Sequence, residues 1–272
     1  MHYYSSILCV AGGCLLATTA TAQRRDVRSL TLLPEAQVEL ALKGNDYLLA
    51  GFNLITNPDG GSTFAAGQFR LGYEHFWNER WSAGATLRVL GGSNYSYGDF
   101  LGLDGNVTPG VLVRHSGKIG AFNFGQRLAL EYATTFDAVG SNNESRALTR
   151  LRLDLDRVFP LGEKLAIRPR IAYEVVTYLR LQRDENQLKE RVVDFGNLRA
   201  EVGVRVSPRI DFTPWVASQT RYFKGLPSLD INGNVIRSGR ANFVTPLAGL
   251  DVRLTLLGKK SNSDRQQLPT QH

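Results

Sequence analysis

Along most of this chain apolar and polar residues alternate one for one. That is the period of two a strand imposes, because successive side chains point to opposite faces. The stretch from 147 to 181 shows it most clearly. Leu151, Leu153 and Leu155 share one face, and Arg150, Arg152, Asp154 and Asp156 share the other. Beyond Pro160-Leu161-Gly162-Glu163-Lys164 the pattern resumes, with Leu165, Ile167, Ile171, Tyr173 and Val175 opposed to Arg168, Arg170, Glu174 and Arg180. The Pro and Gly between the two arms predict a tight hairpin. A register that sets Asp156 against Arg168 also sets Asp154 against Arg170 and Arg150 against Glu174. All three pairs are then of opposite charge.

The same reading predicts ten strands, over residues 45–55, 64–76, 81–91, 107–116, 119–134, 147–158, 165–181, 192–206, 211–223 and 241–257. Brief turns at 77–80, 116–118, 159–164 and 207–209 alternate with longer polar connections at 92–106, 135–146, 182–191 and 224–240. Short turns on one rim and long loops on the other describe an up-and-down antiparallel transmembrane β-barrel. An even strand number would place both termini on the short-turn rim. A β-sandwich has no reason to sort its connections in this way. The segment 23–44 reads as a lead-in to a barrel spanning 45–257, and 258–272 as a polar tail. In the strand after Ile119, bulky Phe122, Phe124, Leu128, Leu130 and Tyr132 alternate with Asn123, Gly125, Arg127, Ala129 and Glu131. Several segments exceed the usual strand of about 5 to 6 residues and suit the roughly 9 to 11 needed to cross a bilayer. Phe76, Trp77 and Trp81 gather at one turn and Tyr132, Phe136, Tyr222 and Phe223 near the long loops, as in interfacial girdles.

Composition narrows the setting. Residues 1–22 carry no Lys, Arg, Asp or Glu and end in Ala20-Thr21-Ala22, the small-x-small pattern of a signal-peptide cleavage site. Both cysteines, Cys9 and Cys14, fall inside this predicted leader. The exported chain would therefore hold neither a disulfide framework nor a thiolate metal site. The net charge of +7 then belongs to the mature part, where export makes an acidic cell surface a better neighbour than nucleic acid. The expected location is the cell outer membrane.

The run Leu71-Gly-Tyr-Glu-His-Phe-Trp-Asn-Glu-Arg-Trp-Ser-Ala-Gly84 resembles the periplasmic hairpin of small outer-membrane β-barrel proteins, the porin-like group of Gram-negative bacteria. Gly249-Leu-Asp-Val-Arg-Leu254 is similar to the barrel-assembly signal of such proteins, although Leu247 and the continuation past Lys259 depart from it. The resemblance implies outer-membrane lipid, lipopolysaccharide and the barrel-assembly machinery as partners. It also prompts a search for the chemistry of enzymatic barrels. His75 and His115 sit beside short turns, and Ser116 next to His115 points to the opposite face, so the two cannot act as base and nucleophile. Asp99, Asp104, Asp137, Asp184 and Asp230 lie near the long loops without a histidine. Asp230-Ile-Asn-Gly-Asn234 has calcium-loop spacing but lacks the later Glu, and reads as a turn, with Val235 and Ile236 in a small hairpin.

No enzyme, cofactor or metal site is expected. What remains is an inward charged face of Arg127, Glu131, Arg150, Arg152, Asp154, Asp156, Arg168, Arg170, Glu174 and Arg180. It is either a narrow polar pathway that favours small anionic solutes or a lumen filled by paired side chains. Loop-mediated surface adhesion and a soluble lipocalin-like β protein are the alternative readings.

Overall fold

The computed structural model describes residues 24–56, 64–92, 105–135, 145–162, 165–179, 192–224, 228–232, 235–237 and 239–259. The leader, the C-terminal end of the tail, Phe136, Arg180, Asp99, Asp104, Asp137 and Asp184 lie outside the described residues. The fold is all-β, a closed barrel of eleven strands. They are β1 (Thr31–Ala41), β2 (Tyr47–Thr56), β3 (Phe64–Phe76), β4 (Trp81–Gly92), β5 (Asn106–Ile119), β6 (Phe122–Thr135), β7 (Arg146–Asp156), β8 (Ala166–Tyr178), β9 (Phe195–Ser207), β10 (Ile210–Lys224) and β11 (Arg240–Leu257). Each pairs antiparallel with its sequence neighbour. Ten of them occupy the ten predicted segments. Ser228–Leu229 and Val235–Arg237 form the small hairpin expected in the last long connection, where the Asn232 N–H donates to Asp230 Oδ1 at 2.8 Å.

The eleventh strand comes from the segment read as a lead-in. Thr31–Ala41 pairs along its whole length with Leu247–Leu257, in parallel, and closes the barrel. Arg24–Val27 continue the same ladder against Ala241–Val244. The strand number is therefore odd, and the expectation of an even number with both termini on one rim is overturned. The chain enters β1 at the long-loop rim and leaves β11 at the short-turn rim, where Gly258 N–H donates to the Ala41 carbonyl at 3.0 Å. Sequence pattern hid β1 because its outward positions include Pro34 and Ala36 and its inward ones Leu33. The alternation is therefore faint, and Pro normally counts against a strand.

Two local expectations also change. The β5–β6 turn is not 116–118 but Gly120-Ala121, since Lys118 and Ile119 still pair with Asn123 and Phe122. Gly120 supplies the positive φ of 59° that this two-residue connection uses. In the β7–β8 hairpin, Asp156 faces Arg170 and Arg152 faces Glu174, a slide of two residues from the expected pairing. The slide arises because Phe159 and Pro160 still pair with Ile167 and Ala166, which moves the turn toward Leu165. A shift of two leaves every side chain on its original face.

The odd closure is testable. Ala36 and Val252 are adjacent outward residues across the parallel seam, and cysteines there would lie within the Cα separation a disulfide spans. The double variant Ala36→Cys/Val252→Cys should crosslink nearly completely on oxidation, read as a reducible change in mobility on unheated gels. Crosslinking no better than Ala36→Cys/Leu256→Cys would contradict the parallel seam.

Candidate functional site

The barrel separates its residues by chemistry. Inward positions carry the charges. Arg127, Glu131, Arg150, Arg152, Asp154, Asp156, Arg168, Arg170 and Glu174, nine of the ten residues singled out from sequence, are buried inside. The same parity on the remaining strands adds Glu35, Arg70, Glu74, Arg114, Arg199, Glu201, Asp211, Asp251 and Arg253 to the buried set. These were within reach of the sequence, because extending the inward parity from β7 around the barrel finds them. Only the opposed charges of one hairpin made that parity conspicuous.

The charges are linked in chains around the inner wall of the barrel, each pair joining strands no more than two positions apart. Arg150 bridges Glu174 at 2.6 Å and Glu131 at 3.2 Å; Arg127 reaches Glu174 at 2.8 Å and Arg88 reaches Glu131 at 2.5 Å. On the next strands Arg170 pairs with Glu201, Glu201 with Arg199 at 2.7 Å, and Arg199 with Asp251 at 3.1 Å. Nearer the short turns, Arg168 binds Asp156 through two nitrogens at 2.8 and 2.7 Å, and Asn123 donates to the same carboxylate at 2.8 Å. On the other side of the barrel Glu74 accepts from Tyr47 and Ser82, both at 2.5 Å, and pairs with Arg114 at 3.0 Å. Arg70 pairs with Glu35, and Arg253 donates to Gln37 at 2.8 Å across the seam.

The three ion pairs expected in the β7–β8 hairpin exist, but diagonally. Arg168 with Asp156, Arg170 with Asp154 at 3.5 Å and Arg150 with Glu174 all form despite the two-residue slide, because long side chains reach the neighbouring position on their own face. Arg170 is also drawn to Glu201 on β9, so it belongs to the network more than to one partner.

Toward the long loops the interior is mixed, with two apolar clusters set among buried Asn53, Gln68, Asn106, Thr108, Asp194 and Gln219. Leu33, Ile55, Ala66, Leu90, Trp215, Ala217 and Leu247 form one cluster, and Ala133, Leu148, Val176, Tyr178 and Phe195 a second. Trp215 joins the first cluster to the charges. Its indole N–H donates to Asp251 at 2.8 Å, and the Arg199 guanidinium lies 3.9 Å above its ring. The ring occupies the space over Gly249, where a Cβ would come within 2.4 Å of it. Gly125 likewise leaves room for Asp154, whose carboxylate oxygen would lie 2.6 Å from a Cβ there. At these two positions the inward side chains are packed to contact with the neighbouring backbone.

Both histidines near the short turns lie on the outside. His75 Nδ1 is 2.7 Å from Asp46 Oδ2, and the other oxygen of Asp46 accepts the Phe76 N–H at 2.9 Å. The His115 ring stacks 4.6 Å from Trp81. Among the described residues no group of three or more His, Cys, Asp or Glu is placed to hold a metal ion. Comparison with protein-family models, with curated proteins and with solved structures finds no match to this chain.

A buried charge that loses its partner costs about 3 to 5 kcal/mol. Glu174→Gln, which takes an ion-pair partner from both Arg127 and Arg150, should therefore destabilise the folded barrel by about 3 kcal/mol in urea titrations. Glu79→Gln, on the exposed short-turn rim, should change stability by less than about 0.5 kcal/mol. Equal effects would mean that the interior ion pairs are not structural. Gly249→Ala should cost about 1 to 3 kcal/mol by overpacking against Trp215.

Proposed function

We propose that this chain is an exported outer-membrane β-barrel with a closed lumen, porin-like in architecture and structural, not enzymatic, in role. One observation carries the reading. Apart from the last residue of β10 and the first of β11, no outward position of the eleven strands is Lys, Arg, Asp or Glu. Those positions are instead Leu, Val, Ile, Phe, Tyr, Ala, Pro and a few small or polar residues. Large ones such as Leu128, Leu130, Val111, Ile171 and Val216 are more than half exposed. Water-soluble proteins rarely expose a contiguous apolar patch beyond a few hundred Å². An apolar belt around a whole barrel, over a charged interior, suits lipid outside and no bulk solvent inside.

The lipocalin-like alternative requires the reverse arrangement, an apolar interior and a polar exterior. The adhesion reading places function in the long loops and is compatible with the same barrel. Exposed Trp77 and Trp81 at the short-turn rim and Tyr132 toward the long loops support aromatic girdles at the two membrane surfaces. The paired charges and the apolar clusters support a plug over an anion pathway, so small anionic solutes are not expected to pass.

Two measurements test this. The purified protein should require detergent and should migrate differently on gels before and after boiling; a chain that stays soluble without detergent and shows no shift contradicts the membrane reading. In planar bilayers the folded protein should give no sustained conductance. Stable anion-preferring steps, altered by Arg150→Gln or Arg170→Gln, would overturn the closed lumen.

A further inference from the structure

The short-turn rim carries a positive charge at every connection. Lys43 follows β1, Arg80 precedes β4, Lys118 lies near the end of β5, Arg157 follows β7, Arg209 precedes β10 and Lys259 follows β11. All six are exposed. Because successive turns lie side by side around a barrel, one base per turn makes a ring. The carboxylates nearby are largely engaged. Asp46 holds His75 and Phe76, Asp156 holds Arg168 and Asp211 pairs with Arg205 at 3.2 Å. Glu79 is the exposed acid among the described residues of these turns.

Aromatic residues stand between the bases at the same level. Trp77, Trp81, Phe122 and Phe159 are exposed there, and the Arg157 guanidinium lies 5.1 Å from the centre of the Phe159 ring. The other rim is different. Several of its described bases, among them Arg25, Arg221 and Arg240, lie on the β10–β11 side, and Arg146 stands apart on β7. The connections 57–63, 93–104 and 136–144 contain acidic residues and no Lys or Arg, whereas 180–191 carries Arg180, Arg183, Lys189 and Arg191 beside three acids, so bases on this rim are not spread one to each connection.

We propose that the short-turn ring binds the phosphate headgroups of an anionic phospholipid leaflet, so that the barrel collects acidic lipids around that rim. This rests on the membrane reading above. The physical basis is that a Lys or Arg at an anionic membrane surface is attracted to it within about a Debye length. Long side chains at the rim let the charge reach the headgroup layer from the end of the barrel wall. Six such charges spaced around the circumference act on the annular lipids together. A phosphate free in solution has no hydrocarbon chain against the belt and engages one base at a time.

The test is lipid selectivity of the full chain reconstituted into phosphatidylcholine membranes, read from the immobilised fraction of spin-labelled phosphatidylglycerol against spin-labelled phosphatidylcholine. Wild type should favour phosphatidylglycerol by at least about threefold. The preference should fall to near unity in about 0.5 M salt and in the variant with Lys43, Arg80, Lys118, Arg157, Arg209 and Lys259 all changed to Gln. It should persist in Arg25→Gln/Arg240→Gln, and glycerol phosphate should not compete it away. Equal association of both lipids with wild type, or a preference removed by the Arg25/Arg240 variant instead, would overturn the ring. Competition by glycerol phosphate would assign the site to a free phosphate and would equally overturn it. Should the sixfold variant fail to fold, the triple variant Lys43→Gln/Arg80→Gln/Arg209→Gln decides, since a preference unchanged in it overturns the ring. A protein that does not enter the phosphatidylcholine membrane contradicts the membrane reading itself.

Discussion

The structure depends on keeping the charge inside the barrel paired. An arginine or carboxylate removed from water loses solvation worth several kcal/mol, which only close partners of opposite sign restore. Here the carboxylates of Glu74, Glu131, Glu174 and Glu201 each meet a guanidinium, and Arg150 and Arg199 each join two carboxylates. The pairing spans several strands, so it ties register to register around the circumference. It also leaves the outward face almost free of charge, since no charge has to be shared between the two sides.

The closure of the barrel follows from the same requirement. Glu35, Gln37 and Glu39 on β1 are buried, and they meet Arg70 on one side and Arg253 on the other. Without β1 those arginines would face one another's strands with fewer acceptors, and both β2 and β11 would present unpaired strand edges. A parallel seam between first and last strands satisfies both demands, and the odd strand number with its opposed chain ends is the consequence.

Much of this was legible in the sequence because period-two alternation is local and the hydrophobic set of each strand is strong. Ten strands, the sorted connections and the inward face of β6 to β8 could be read from residues such as Leu128, Leu130 and Arg127. Three things could not. The first is β1, whose Pro34, Ala36 and Leu33 blur the alternation and whose partner lies more than two hundred residues away. Another is the β7–β8 register, since a slide of two preserves both faces and nearly the same ion pairs. The third is the packing of Trp215 over Gly249, its register partner on the adjacent strand, which depends on the pairing of residues more than thirty apart and leaves no mark in a linear pattern.

The central claim is the sense of the barrel, apolar side to lipid and charged side inward. It is tested most directly by single tryptophans placed one at a time at 128, 129, 130, 131 and 132 of β6, in a chain with Trp77, Trp81 and Trp215 changed to Phe and reconstituted in brominated lipid. Alternating quenching is predicted, strong at 128, 130 and 132 and weak at 129 and 131. Quenching of the opposite parity, or none at any position, would contradict the account.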